Sequence, residues 1–233
     1  MSEPAARGPV ARGPVARGPV ARGPVARGPV SPVQPVVVAG WEVTGRRSGA
    51  GLTLTDLTPV AKAQVRARAD GAMARALGVP FGRAGRDGSG ALVIGSGPGQ
   101  WLVLGPAGEG SALRHRLEGL AAQTAGRELV TVLDLTHGGA LLKLTGVLAA
   151  SVLATVCAID LSDARTANGA AFRSLVAKLV TDVVRDDQDG ESGPVPSYLL
   201  HCERSYGQYL FDALLLAGAE FGIEVDGFRW PGI

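Results

Sequence analysis

Asp134 and His137 stand three residues apart in the stretch TVLDLTHGGALLKLTG (131–146), and they are the pair best suited to acid–base work in this chain. Such a pair acts only when a nucleophile or a held water lies beyond the histidine. Ser, Thr and Cys occur elsewhere, but no Gly-x-Ser-x-Gly elbow marks a nucleophile at a strand end. An aspartate ahead of a Thr-His-Gly-Gly turn has an ordinary duty, because its carboxylate accepts N–H bonds from the turn. His137 then adds a hydrogen bond or faces solvent. The structural role is expected for both.

Other reactive groups are sparse, with three His and two Cys in the whole chain. His115 lies among charged neighbours and is expected to be solvated. His201 and Cys202 are adjacent in a strand, so they face opposite ways and cannot share a metal. No zinc site of sequence-near ligands is expected. Asp186, Asp187 and Asp189 fall in the polar insert DDQDGESGPVP, which reads as a mobile loop with solvated carboxylates. Arg173 opens a strand. Arg204 and Ser205 separate a strand from a helix, with Ser205 the expected N-cap and Arg204 projecting at the sheet's end. Either arginine suits the carboxylate of a ligand or a partner, or is simply exposed. Gly95, Gly97 and Gly99 suggest a phosphate loop, but Pro98 interrupts them and a strand follows where a helix N-terminus is needed.

The elements that must hold these residues begin after a repeat. Residues 6–30 are ARGPV five times over. Gly and Pro in every copy exclude helix and central strand. The repeat reads either as a disordered extension made by duplication or as a basic arm for phosphate or acidic surfaces. Five dispersed arginines leave a weak electrostatic footprint, which favours the first. The expected division is an extension over 1–40, one α+β domain over 41–226, and a tail over 227–233, with order beginning near Trp41 or Leu52.

At 233 residues and 46% apolar content, the chain is long enough for a sizeable core. No run of eighteen apolar residues predicts a membrane span. Two unspaced cysteines and no signal peptide fit a cytoplasmic protein. The net charge of +2 hides an asymmetry: residues 1–39 hold five Arg and one Glu, which leaves 18 basic against 20 acidic side chains. A slightly acidic body argues against nucleic acid as partner.

Within the body, ALVIGSGPGQWLVLGP reads as two strands about a Gly/Pro turn. GSALRHRLEGLAAQTAGRE holds a helix capped by Ser111 and stopped at Gly126, ELVTVLDLTH and GALLKLT are antiparallel strands joined at Gly138–Gly139, and GVLAASVLATVCAIDLSD is an apolar helix. FRSLVAKLVTDVVRD and SYLLHCERS alternate as strands, and YGQYLFDALLLAGAEFGIEV reads as one long helix. From Gln100 the first six elements match a ferredoxin-like split β-α-β unit, followed by a partial second copy, in an antiparallel or mixed sheet.

The ordered set DLTPVAKAQVRA, GPGQWLVLGP, VTVLDLTHGGALLKLTGVLAASVLATVCAIDLSD, FRSLVAK and YLLHCERSYGQYLFDALLLAG resembles the gamma subunit of heterotetrameric sarcosine oxidase over residues 52–224. That family is similar in fold to part of the folate-binding aminomethyltransferase (T-protein) of glycine cleavage. The resemblance implies a small non-catalytic subunit of a complex that oxidatively demethylates sarcosine to glycine with tetrahydrofolate and oxygen. It places FAD, FMN, NAD and tetrahydrofolate on the larger alpha and beta subunits and adds a small delta subunit. Asp134, His137, Arg173, Arg204 and Ser205 match recurring positions and are expected to serve the fold or an interface. The alternative is a stand-alone folate-binding aminomethyltransferase-like protein. The ARGPV extension and the polar insert depart from the family pattern.

Overall fold

The computed structural model describes residues 24–229 apart from 125–127 and 192. In chain order the elements are β1 (Ala26–Arg27), β2 (Pro35–Val38), β3 (Trp41–Thr44), β4 (Leu52–Asp56), β5 (Ala61–Arg66), α1 (Ala72–Leu77), β6 (Ala84–Arg86), β7 (Leu92–Gly97), β8 (Gln100–Gly105) and α2 (Gly110–Thr124). They continue with β9 (Thr131–Asp134), β10 (Gly139–Gly146), α3 (Ala149–Val156), β11 (Ala171–Val176), β12 (Leu179–Arg185), β13 (Gln188–Gly190), β14 (Gly193–Val195), β15 (Ser197–Glu203), α4 (Gly207–Gly218) and β16 (Glu224–Asp226).

Two sheets carry the body, and both bury both faces. Strands in the order β11-β12-β15-β10-β4-β16 form the first; it is mixed, because β16 runs parallel to β4 while its other pairs are antiparallel. Its outer face packs Leu54, Leu142, Leu144, Val183 and Leu200 under α3 and α4, which contribute Val152, Leu153, Leu210 and Leu214. The order β6-β7-β8-β5-β9 makes the second sheet. Its outer face sets Ala63, Val65, Val93 and Val103 against Met73 and Leu77 of α1 and Leu113 and Leu117 of α2. Between the sheets lies a third core, with Leu92, Ile94, Leu102 and Leu104 facing Leu141, Val184 and Leu199, and Trp41 of β3 closing one end. The result is helix, sheet, sheet, helix, an α+β architecture.

Several expectations change. Strands β9 and β10 are not a hairpin: β9 pairs with β5, whereas β10 pairs with β4 and β15. Alternation of apolar residues marks a strand but not its partner. For the same reason the six elements from Gln100 to Val176 do not share one sheet; β8 and β9 belong to one, β10 and β11 to the other. The polar insert forms a small hairpin, β13 with β14, rather than a loop. The final helix stops at Gly218; a 3-10 turn and the left-handed Gly222 redirect the chain into β16. Residues 24–40, assigned by sequence to the extension, include β1 and β2 on either side of β3. The expectation of disorder for residues 1–23 lies outside the described residues, as does the end of the tail, 230–233; before it, Phe228 is buried.

The chain passes between the sheets twice, each time through Asp-Leu-Thr. Asp56-Leu57-Thr58 leads from β4 to β5, and Asp134-Leu135-Thr136 leads from β9 back to β10. Each aspartate Oδ1 accepts the N–H of its own threonine at 2.8 Å. Each leucine N–H donates to a carbonyl on the other crossing: Leu57 to Leu141 at 2.7 Å, Leu135 to Lys62 at 2.8 Å. Each threonine hydroxyl then accepts the N–H of that same residue, Leu141 to Thr58 at 3.3 Å and Lys62 to Thr136 at 3.1 Å. The two turns therefore lock one another as a pseudo-twofold pair. Removing the hydroxyl while keeping the shape should strand a buried N–H. Thr58→Val and Thr136→Val are each expected to cost about 1–3 kcal/mol in urea unfolding, against under about 0.5 kcal/mol for Thr131→Val on the exposed strand β9.

Candidate functional site

Two polar clusters sit at the crossovers. The first is buried. Lys62, 0% exposed, points its amine into the first crossover and donates to the carbonyls of Thr58 at 2.6 Å and Val60 at 2.8 Å. Burial pulls its pKa down to about 7, opposed by Asp56 and Asp134 and assisted by Arg204. Burial likewise raises the Asp56 carboxyl, although Thr58 and Lys62 pull the other way. Arg204 covers this cluster. It lies 5.9 Å over the Trp41 ring, its Nη2 donates to the Arg27 carbonyl, and its buried Nη1 has no partner among the described residues. His137 stacks on the same Trp41, with ring centres 4.7 Å apart and planes 14° apart.

The second cluster opens to solvent. A cleft of about 540 Å³ separates the ends of the two sheets, lined by Gln64 and Arg66 of β5, Gln100 of β8, Arg173 of β11, Asp182 of β12 and His201 of β15. Arg173 Nε lies 2.7 Å from Asp182 Oδ1, and His201 Nδ1 lies 3.2 Å from Oδ2. These three residues are cross-strand neighbours, which is how a pleated sheet brings a row of side chains into contact. Burial raises the Asp182 carboxyl, but the bonds from His201 and Arg173 outweigh it and hold the pKa below the ordinary carboxylate range.

An Asp–His pair in a cleft invites comparison with a catalytic dyad, and the geometry argues otherwise. The free nitrogen, His201 Nε2, is buried against Gly139, where a Cβ would collide with it. A general base needs that nitrogen open to substrate. Cys202 is the lone thiol in the lining, and its pKa is pushed up to about 11, first by burial and then by Glu203, so it stays protonated. What the cleft offers is recognition. Asp182 is satisfied by two partners, while Arg66, Lys178 and Glu203 form no ion pair among the described residues, so the lining carries two unpaired cations against one unpaired acid and favours an incoming carboxylate. A larger cavity of about 650 Å³ beside α2 has its arginines already paired, Arg86 with Asp186 at 3.0 Å and Arg116 with Asp87 at 2.7 Å, and adds the acids Glu109 and Asp189 to its lining, so it does not favour a carboxylate. Among the described residues no group of three or more His, Cys, Asp or Glu is placed to hold a metal.

The sequence candidates thus divide. Asp134, His137 and Arg204 meet around the second crossover and Trp41; Arg173 is in the cleft. Ser205 lies in a 3-10 turn, and the N-cap of α4 is Tyr206 with no side-chain cap. Asp187, expected to be solvated, has its side chain largely covered beside Arg185 at 2.9 Å. Sequence reasoning missed Asp56, Lys62 and Asp182, and weighed His201 only as a metal ligand. Lys62, Gln64 and Arg66 alternate with Ala61, Ala63 and Val65, a pattern that normally marks a solvent face; here that face turns to the opposing sheet. The one available signal was the recurrence of Asp-Leu-Thr at 56 and 134.

No family model matches the chain, and no curated protein matches it. Among solved structures, a chain of the heterotetrameric sarcosine oxidase from Corynebacterium sp. U-96, in complex with pyrrole 2-carboxylate, is similar at 26% identity and TM-score 0.61, covering 75% of this chain and 88% of that one. Glycine cleavage system aminomethyltransferase T from Bartonella henselae is similar at 17% identity and TM-score 0.60, covering 83% of this chain and 55% of that one. The present chain spans about half of that aminomethyltransferase, and the likeness is one of fold. No helix among the described residues is long and apolar enough to cross a membrane.

Lys62 gives the buried cluster a pH signature. Its folded pKa of about 7 lies below the unfolded value of 10.5. Between those values the unfolded chain holds a proton that the folded chain has released, so stability rises with pH across that window. The stability of the wild type relative to Lys62→Met is expected to increase from pH 6.5 to pH 9 in urea unfolding; a pH-independent difference would contradict the burial argument.

Proposed function

We propose that this chain is a gamma-type, non-catalytic subunit of a sarcosine oxidase-like heterotetramer, and that it serves assembly of the complex. The single observation that carries the reading is the match to 88% of one chain of such a heterotetramer, which is a whole subunit's worth of fold. In this reading the flavins, the nicotinamide dinucleotide and tetrahydrofolate reside on alpha and beta partners, with a small delta subunit beside them. The blocked His201 Nε2 and the protonated Cys202 thiol suit a cleft that binds.

The surface beside the cleft has the chemistry of a docking face. Leu175 and Val180 are cross-strand partners at the tip of the β11–β12 hairpin, 56% and 64% exposed. The exposed Tyr209 reaches the same tip through its hydroxyl, which donates to the Ala177 carbonyl at 3.2 Å, and Tyr206 lines the cleft. Exposed aromatic and aliphatic anchors beside a polar row are what interface cores are made of. The occupant of this face is a large flavoprotein subunit.

A second reading has one observation in its favour: a cleft of about 540 Å³ with unpaired cations falls in the size range of small-molecule sites. Under it the chain binds folate by itself, as a stand-alone aminomethyltransferase-like protein. Calorimetry with tetrahydrofolate and the isolated chain separates the two, micromolar binding supporting the second reading.

The first reading expects the purified chain to show no flavin absorbance and no sarcosine turnover, and to co-purify with larger flavoprotein chains when all are expressed together. Val180→Glu with Leu175→Glu is expected to weaken that association at least tenfold while leaving the thermal midpoint within about 2 °C, as suits exposed positions. Sarcosine oxidation by the isolated chain would overturn it.

A further inference from the structure

The fifth ARGPV copy, residues 26–30, is bound along a groove by every one of its residues. Ala26 and Arg27 pair in parallel with Trp41 and Glu42, the Ala26 N–H donating to the Gly40 carbonyl at 2.8 Å. Arg27 Nε meets Glu42 at 2.8 Å, and the Arg27 carbonyl accepts from Arg204. Gly28 passes so close to the buried cluster that a Cβ there would stand 3.2 Å from Asp56 Oδ2. Pro29 fills the space left by Gly207, where a Cβ would collide with the proline ring. Val30 is 5% exposed within the core under α3 and α4, whereas Val25, the same position of the preceding copy, is 40% exposed. The groove holds Val30 and leaves Val25 outside.

We propose that the groove formed by Trp41, Glu42, Asp56, Ala140, Arg204 and Gly207 is a receptor for one Ala-Arg-Gly-Pro-Val unit, and that the five tandem units of this chain exchange in it, moving the strap in steps of five residues. The occupants are the upstream units, residues 6–25, which are identical in sequence to the one in place. A shift by one unit presents the same five side chains to the groove and replaces Ser31, whose N–H donates to Gln208 at 2.8 Å, by Ala26 with the same N–H. The connection between the anchored valine and Val33, whose N–H donates to Thr44, then grows from two residues to seven. Loop closure makes the shifted register less populated by only about sixfold. Each shift moves five residues from the segment before the groove to the connection after it.

The test compares full-length chains by thermal unfolding at two protein concentrations. Val30→Asp alone removes the favoured register but leaves four others, so the midpoint is expected to fall by about 3 °C. Asp at Val10, Val15, Val20 and Val25 together, with Val30 intact, is expected to leave it unchanged. All five substitutions together remove every register, and the fall should exceed twice that of Val30→Asp, up to failure to fold. A loss from Val30→Asp at least half as large as that of the five together would overturn the proposal. So would no loss from the five, a loss from the four upstream substitutions, or rescue that grows with protein concentration.

Discussion

The reciprocal pair of Asp-Leu-Thr crossovers is the constraint on which the rest of the structure depends. Two sheets packed face to face need connections that leave one sheet and enter the other, and such connections expose backbone N–H and carbonyl groups in the apolar layer between them. Here each turn satisfies the other: a leucine N–H goes to the opposite strand's carbonyl, and the N–H of that same residue returns to a threonine hydroxyl. Neither turn is complete alone. The arrangement fixes where β5 and β10 start, and so fixes the register of both sheets against their neighbours.

Register in turn decides which polar side chains are trapped. Leu141 and Lys62 occupy equivalent places in the pseudo-twofold pair, yet one is apolar and the other is a lysine. The lysine remains because its amine caps two carbonyls of the first crossover and lies within reach of Asp56 and Asp134. Two residues further along the same strand face, Gln64 and, after it, Arg66 have emerged from the core into the cleft. A single polar stripe on β5 thus changes from a buried staple to a recognition surface within three alternations, simply because the sheets separate there.

Legibility in the sequence follows the range of the interaction. The turn at Pro98–Gly99 between β7 and β8, the helices at 110–124 and 149–156, and the duty of Asp134 as an acceptor within its own turn are local, and the residues announce them. The false hairpin at Gly138–Gly139 failed because pairing is set by contacts far along the chain, β9 with β5 and β10 with β4 and β15. Asp182 and His201 lie 19 residues apart and meet only across two strands, so neither advertised the other. The insert misled for another reason: the counterion of Asp186, Arg86, comes from 100 residues away, and the neighbouring Arg185 draws Asp187 inward only because the end of β12 is itself buried.

Arg204 ties these levels together. Its backbone N–H donates to the Gly138 carbonyl at 3.1 Å, which holds the end of β15 to the second crossover. Its guanidinium lies over Trp41 and binds the Arg27 carbonyl of the strap. The positive charge also acts on the buried acid and amine beneath, favouring ionised Asp56 and disfavouring ionised Lys62. A glycine-proline unit suits this position better than most chain would. Glycine admits the close approach to Asp56, and proline adds apolar contact without an N–H that would need an acceptor in the groove. The segment that looked least structured in the sequence is therefore the one whose composition the buried cluster most narrowly specifies.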